Sequence, residues 1–151
     1  MTLVTHSIFI DRPPAEVFAF VTDFRNDNLW WKSVIHTEKV TPGDIAVGTQ
    51  FIQDSKVLFV VIKGHLEVLE WNPPRLVRYR NESSNLLYDL LYQFDAEGSG
   101  TRFTLEASLE MKGALRLLKP ITMQTLHGKL RTYFGLLKDV LENSPITQLA
   151  G

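Results

Sequence analysis

The residue types best suited to acid-base or metal chemistry are the four histidines, and none of them stands in a recognisable motif. His6, His36, His65 and His127 are spread along the chain, and none has a second histidine or a carboxylate at the i, i+4 spacing of a helical zinc site. The chain contains no cysteine, which excludes thiolate ligands and thiol nucleophiles. A nucleophile elbow, a phosphate-binding loop and a dinucleotide fingerprint are also lacking. We therefore expect no metal and no other cofactor.

A histidine would act as a general acid or base only if its side chain faced a pocket. His127, in the last predicted helix, and His36, in a predicted strand, are the two candidates for this role. Neither belongs to a catalytic motif, so we expect both to lie on the surface.

Tyrosines are the other residues with useful polar chemistry. Tyr79, Tyr88 and Tyr92 fall in the inward phase of alternating strands, together with Asn81. Tyrosine rings supply apolar area, and their hydroxyl groups orient a ligand by hydrogen bonds. The alternative is that the rings fill an ordinary core and the hydroxyl groups reach water.

A broad amphipathic element must cover these strands, and the last long stretch of the chain supplies it. Apolar residues recur there at steps of three or four, which predicts a helix over residues 120–143. They are Met123, Leu126, Leu130, Phe134, Leu137 and Leu141. Because Tyr133, Leu136 and Val140 widen the apolar arc, we expect the second half of this helix to be buried most deeply.

The rest of the chain predicts strands, with two short helices after the first one. Prolines open a first short helix after residue 12, and a second helix or turn is expected at residues 23–31. Strands are predicted at residues 3–10, 34–41, 47–54, 57–71, 75–82, 86–94 and 103–109. A Pro-Gly turn should join the second and third strands as a hairpin. The run at residues 57–62 is apolar on both faces, which we interpret as the centre of the sheet.

Length and composition narrow the class of protein. A chain of 151 residues is expected to form one domain, residues 1–151. Its net charge of -1 gives no reason to bind nucleic acid. The longest apolar run has six residues, far below the roughly 20 of a membrane-spanning helix. The first ten residues alternate like a strand and do not resemble a signal peptide, so we expect a cytoplasmic protein.

With these elements in place, the chain resembles the START-like superfamily, also called SRPBCC, which includes polyketide cyclase-like proteins. The features that carry the resemblance are residues 8–18 (IFIDRPPAEVF), Asp23 followed by Trp30 or Trp31, residues 47–49 (VGT), residues 68–74 (VLEWNPP) running into 76–79 (LVRY), Gly100-Thr101, and the closing amphipathic helix. The resemblance implies an α+β helix-grip fold, in which a curved antiparallel sheet of about seven strands wraps around the long C-terminal helix. It also implies a hydrophobic cavity between sheet and helix, where members of the superfamily carry, sense or transform apolar small molecules.

The candidate ligand-binding residues are those of the inward strand phase and of the facing side of the helix. They are Trp30, Phe51, Val60, Ile62, Tyr79, Asn81, Tyr88, Tyr92, Phe103, Leu126, Leu130 and Phe134. We interpret the chain as a protein that binds a small hydrophobic or amphipathic ligand and has no evident catalytic motif.

Two alternatives stay open. One is a cyclase, dehydratase or isomerase acting on an aromatic or polyketide-like substrate, in which Tyr79, Tyr88 or a pocket histidine polarises a carbonyl group. The other is a protein-interaction module that docks a partner on its sheet or helix.

Two further features bear on partners. Residues 111–119 mix three cations with leucines; an exposed segment of this kind would suit a lid or a contact with an anionic membrane. We instead expect the leucines to tuck over the end of the sheet. Gly128 and Gly135 lie on one side of the long helix, which hints at the close approach of another surface and allows a homodimer.

Overall fold

The computed structural model describes residues 2–57 and 59–143. The elements, in chain order, are β1 (Thr2–Ile10), α1 (Pro14–Val21), a first 3-10 helix (Phe24–Leu29), β2 (Val34–Lys39), β3 (Gln50–Val57), β4 (Val60–Asn72), β5 (Leu76–Glu82), β6 (Leu86–Glu97), β7 (Gly100–Met111), a second 3-10 helix (Gly113–Leu118) and α2 (Lys119–Asn143).

The seven strands form one antiparallel sheet in the order β1-β7-β6-β5-β4-β3-β2. The first strand of the chain therefore pairs with the last one, and the remaining strands follow as a meander. The sheet is curved, and the long helix α2 closes its concave side. This arrangement confirms the predicted helix-grip fold, including the two short helices after β1.

Alternation along the strands builds the inner face. In β7, Phe103, Leu105, Ala107 and Leu109 are buried, while the residues between them are partly exposed. The start of β7 comes so close to β1 that only glycine fits, because a Cβ atom at Gly100 would lie 2.4 Å from the carbonyl oxygen of Ile10.

The prediction of one long strand over residues 57–71 is wrong. The chain turns between Val57 and Val60, so the apolar run forms the tip of the β3–β4 hairpin and not the centre of the sheet. An apolar run of six residues has no periodicity that could distinguish these two positions. The same error displaced β3, which begins at Gln50, and residues 40–49 form a longer connection in place of the expected tight hairpin.

Helix α2 is held firmly at one end. Its buried residues, Leu130, Tyr133, Phe134, Leu137 and Leu141, lie in the second half, as predicted. At that end Arg12 Nε donates to the carbonyl oxygen of Leu141 at 2.7 Å, and the Asp11 amide donates to Glu142 Oε2 at 2.7 Å. Lys138 Nζ donates to the carbonyl oxygen of Phe9 at 2.8 Å.

The first half of α2 is covered less. Met123 and Leu126 are partly buried, and the residues around them are mostly exposed. Within the described residues, neither helix has the length and apolar character needed to cross a membrane.

Sheet topology brings three features to one end of the molecule. Successive antiparallel strands reverse direction, so several connections lie at the same end of the sheet. The end where α2 begins carries the β3–β4 hairpin tip, the β5–β6 turn and the end of β7. Two leucines of the second 3-10 helix do not tuck over this end of the sheet as predicted: Leu117 is 85% exposed and Leu118 is 41% exposed.

Candidate ligand-binding site

Packed aromatic rings fill the space between the sheet and the buried part of α2, which begins at Leu130. Seven of the predicted ligand-binding residues are buried there: Trp30, Phe51, Tyr79, Tyr92, Phe103, Leu130 and Phe134. The Phe103 ring stacks on Phe134 at a centroid distance of 5.1 Å, and Tyr92 meets Phe103 edge-on at 5.1 Å. Sequence phase therefore grouped these residues correctly, but their mutual contacts make this region a core.

The first 3-10 helix inserts one face into that core. Residues three apart eclipse each other in a 3-10 helix, and Phe24, Asp27 and Trp30 follow this spacing. All three side chains are buried, although Asp27 carries a carboxyl group and is only 4% exposed. Our sequence interpretation missed Asp27. The signal that could have found it is its spacing of three residues from each of the aromatic residues Phe24 and Trp30.

Asp27 belongs to a buried polar group. Gln53 Nε2 donates to Asp27 Oδ2 at 2.9 Å and to Thr37 Oγ1 at 3.0 Å, which ties the 3-10 helix to β2 and β3. Asp27 Oδ1 and Trp30 Nε1 are buried without a hydrogen-bond partner among the described residues. Burial raises the pKa of Asp27 well above its usual range, against the opposing hydrogen bond from Gln53. The carboxyl group therefore favours its neutral form.

A pair of buried tyrosine hydroxyl groups lies beside this polar group. The hydroxyl groups of Tyr79 and Tyr92 are 2.9 Å apart, and burial raises the pKa of both phenols. An ionised Asp27 would raise the pKa of both phenols further, because the carboxyl group and the tyrosine pair share one environment. These groups are protonated hydrogen-bond donors, but the rings around them block direct access from solvent.

The part of the inner face beside the first half of α2 is more exposed to solvent. Asn81 and Tyr88 are cross-strand partners in β5 and β6, and both are partly exposed. Leu126 and Met123 of α2 pack against the same small apolar cluster as Tyr88, whose buried members are Leu86, Leu109 and Met111. Burial of the Tyr88 hydroxyl raises its pKa to about 12, so it remains a hydrogen-bond donor at neutral pH.

The remaining predicted strand residues have the same phase as the buried Leu66 and Val68 but lie nearer the tip of the β3–β4 hairpin. Ile62 is partly buried on β4, whereas Val60 is 61% exposed at the hairpin tip. His36 and His127 are exposed. His6 packs edge-on against Phe134 at 4.8 Å and is partly buried.

Two clefts open at opposite ends of the sheet. One, of about 420 Å³, lies between α1, the β2–β3 connection and the end of β4. The other, of about 650 Å³, lies beside the end of β7 and the second 3-10 helix. Neither cleft is the centre of the sheet–helix interface, where the aromatic rings pack.

A curved seven-stranded antiparallel sheet closed by a long C-terminal helix, with an aromatic inner face, defines a helix-grip protein of the START-like class. A family profile described as "Polyketide cyclase / dehydrase and lipid transport" matches residues 1–142, so the chain belongs to this family. The resemblance found in the sequence is thereby confirmed. A comparison with curated proteins gave no match.

Solved structures share the fold at low sequence identity. TTHA0849 from Thermus thermophilus has a TM-score of 0.79 at 19% identity, covering 93% of this chain and 97% of its own. A START superfamily protein from Mycobacterium smegmatis has a TM-score of 0.75 at 12% identity, with coverages of 93% and 97%. The Zhui aromatase/cyclase from a Streptomyces species has a TM-score of 0.72 at 12% identity, with coverages of 92% and 94%. Family and fold together indicate either hydrophobic ligand binding or cyclase-like activity.

Proposed function

We propose that this protein binds a small hydrophobic or amphipathic ligand between the first half of α2 and the inner face of β5, β6 and β7, and that it does so without catalysis. The observation that carries the proposal is the difference between the two halves of α2. The second half packs on buried rings, whereas Met123 and Leu126, which pack on the smaller apolar cluster beside Tyr88, stay partly exposed. An apolar wall with a few polar groups is typical of ligand sites.

Tyr88 and Asn81 would orient the ligand. They are neighbours across β5 and β6, and the Tyr88 phenol is protonated at neutral pH and so can donate a hydrogen bond. Gly64 leaves the room that Asn81 occupies, because a Cβ atom there would lie 2.4 Å from Asn81 Oδ1. A ligand with one carbonyl or hydroxyl group on an otherwise apolar body fits this pair better than a sugar or a phosphate.

The test is a titration with the neutral apolar dye Nile red, together with native mass spectrometry of freshly purified protein. Leu126→Trp should fill the space beside the first half of α2 and abolish dye binding. Gln124→Trp adds the same ring on the exposed side of α2 and should leave binding unchanged, so it is the matched control. Equal binding by both variants would show that the dye binds elsewhere, and no binding by the wild type would overturn the proposal.

A second candidate is cyclase- or dehydratase-like catalysis on an aromatic or polyketide-like substrate. One observation favours it: Tyr88 is partly exposed beside Met123 and Leu126, where its protonated phenol would polarise a substrate carbonyl by hydrogen bonding. Tyr88→Phe separates the two candidates. Loss of turnover with retained binding supports catalysis, whereas weaker binding by about 0.5–1.5 kcal/mol with no turnover in either protein supports a binding protein.

A further inference from the structure

The end of the molecule where α2 begins exposes large apolar side chains in two groups. Phe59 and Leu117 are the most exposed of all the large apolar residues described, at 96% and 85%. Val60 and Val61 accompany Phe59 at the β3–β4 hairpin tip, and Ile121 accompanies Leu117 at the start of α2. Exposed apolar residues at one end of a fold mark an interaction surface more often than scattered ones do.

Cations surround both apolar groups. Lys112, Arg116 and Lys119 lie beside Leu117 and line the cleft of about 650 Å³ at the end of β7. Glu110 is the only acid between residues 110 and 121, so this segment carries a net charge of +2, from three cations and one acid, in a chain whose net charge is -1. None of the three cations forms a salt bridge with another described residue.

The hairpin repeats this arrangement on a smaller scale. Lys56 and Lys63 flank its apolar tip, and Lys63 pairs with Asp54 at 3.2 Å. Glu82, at the end of β5, and Glu110, at the end of β7, are further acids at this end of the sheet. Apolar side chains therefore project furthest, with an excess of cations set behind them.

We propose that this end of the molecule docks on an anionic lipid bilayer. Phe59, Val60, Leu117 and Ile121 would enter the headgroup region, while Lys112, Arg116 and Lys119 would contact lipid phosphates and carboxylates. Apolar side chains combined with cations are what interfacial binding to anionic lipids requires. Because a bilayer is a broad surface, it would contact both apolar groups at once, although they lie on separate elements. It requires no groove of matching shape on the protein.

A second copy of this chain fits the same surface less well. A two-fold dimer uses the same patch on both copies, so two surfaces that each carry an excess of cations would face each other. Like charges placed opposite each other weaken association. The proposal does not depend on what ligand the protein binds, and its test uses none.

The experiment is co-flotation of the full chain with vesicles of phosphatidylcholine containing phosphatidylserine, and with vesicles of phosphatidylcholine alone. Binding should require phosphatidylserine and should weaken as salt is raised, because salt screens the attraction. Neutralising the cations in a Lys112→Gln, Arg116→Gln, Lys119→Gln variant should lower partitioning about a hundredfold, at about fivefold per cation. Phe59→Ser should lower it by roughly tenfold or more.

Two matched controls carry equivalent changes at the opposite end of the sheet. Val47→Ser removes an exposed apolar side chain before β3, and Arg75→Gln removes an exposed cation in the β4–β5 turn. Both should bind like the wild type. All these side chains are exposed, so each variant is expected to fold, and circular dichroism checks this directly.

Four outcomes would overturn the proposal. One is no flotation with either vesicle, and another is equal binding to both vesicles at all salt concentrations. The third is a dimer in light scattering that Phe59→Ser dissociates, without vesicle binding, which would make this end a contact between copies of the chain. The fourth is displacement of the protein by inorganic phosphate added at constant ionic strength, which would reduce the site to an anion-binding cleft. No displacement is expected, because a soluble anion lacks the apolar layer.

Discussion

The hydroxyl groups of Tyr79 and Tyr92 lie 2.9 Å apart inside the aromatic core. Tyr79 pairs with Leu90 and Tyr92 pairs with Val77, so the two tyrosines are diagonal neighbours on the inner face of β5 and β6. Each hydroxyl supplies the partner that the other needs once it is removed from water. The strand register thus fixes a polar contact in a region that is otherwise apolar.

We predict that removing one hydroxyl of this pair costs more than removing both. Tyr92→Phe keeps the ring but leaves the Tyr79 hydroxyl buried without its partner, which should cost about 1–3 kcal/mol of unfolding free energy. The double variant, Tyr79→Phe with Tyr92→Phe, should recover most of this loss, because no polar group is left behind. Urea titration of the wild type, both single variants and the double variant measures the coupling. Additive losses would show that the hydroxyls do not depend on each other.

The buried carboxyl group of Asp27 should make stability depend on pH. Its pKa is raised in the folded protein, mainly by burial, whereas in the unfolded chain it titrates near about 3.9. Between these two pKa values the unfolded chain binds fewer protons than the folded one, so the contribution of Asp27 to stability falls as pH rises. Relative to the wild type, Asp27→Asn should therefore gain stability as pH rises from about 4 towards neutrality. Urea titrations at several pH values measure this difference, and a difference that is constant with pH would contradict the assigned pKa direction.

Stability should vary along α2. Leu130 is buried against the aromatic core, so Leu130→Ala should cost about 2–5 kcal/mol through lost burial and the cavity left behind. Leu126 lies four residues earlier on the same side and is only partly buried, so Leu126→Ala should cost less than half as much. Denaturant titration of the two variants tests the contrast. Similar losses would mean that the first half of α2 packs as firmly as the second.

Two glycines on the sheet should respond differently to alanine. At Gly100 the new Cβ atom would meet the backbone oxygen of Ile10 at 2.4 Å, and backbone gives way only if β1 shifts. At Gly64 it would meet Asn81 Oδ1, which can rotate away. We predict a loss of about 1–3 kcal/mol for Gly100→Ala and a smaller loss for Gly64→Ala. Thermal unfolding compares them, and the reverse order would show that Asn81 is rigidly held.

Much of the architecture was predictable because it follows from periodicity. Steps of three and four located α2, and alternation in β6 and β7 put Tyr92 and Phe103 on the inner face. The order of the elements followed from the same patterns, and the resemblance supplied their arrangement as a sheet wrapped around the long helix. Neither signal separates a packed core from a pocket, since both require the same apolar residues in the same phase. For this reason the ligand-binding assignment stays a prediction.

The errors arose where a local pattern is ambiguous. Residues 57–62 are apolar without alternation, and only the pairing of β3 with β4 shows that the chain turns within them. Leu117 looked like a residue to be buried, but tertiary structure leaves it in solvent. Asp27 was overlooked because a buried carboxyl group is rare, and because its partner Gln53, which also donates to Thr37, comes from an element that the sequence does not bring close.

The hydrogen bond from Arg12 to the carbonyl oxygen of Leu141 spans 129 residues of sequence. Together with the pairing of β1 and β7, it delays completion of the fold until almost all of the described chain has been synthesised. Contacts of such high sequence separation slow folding, and they expose unpaired strands while the ribosome is still adding residues. A nascent chain stalled before Leu141 leaves the ribosome should therefore remain sensitive to protease, and release of a few more residues should make it resistant.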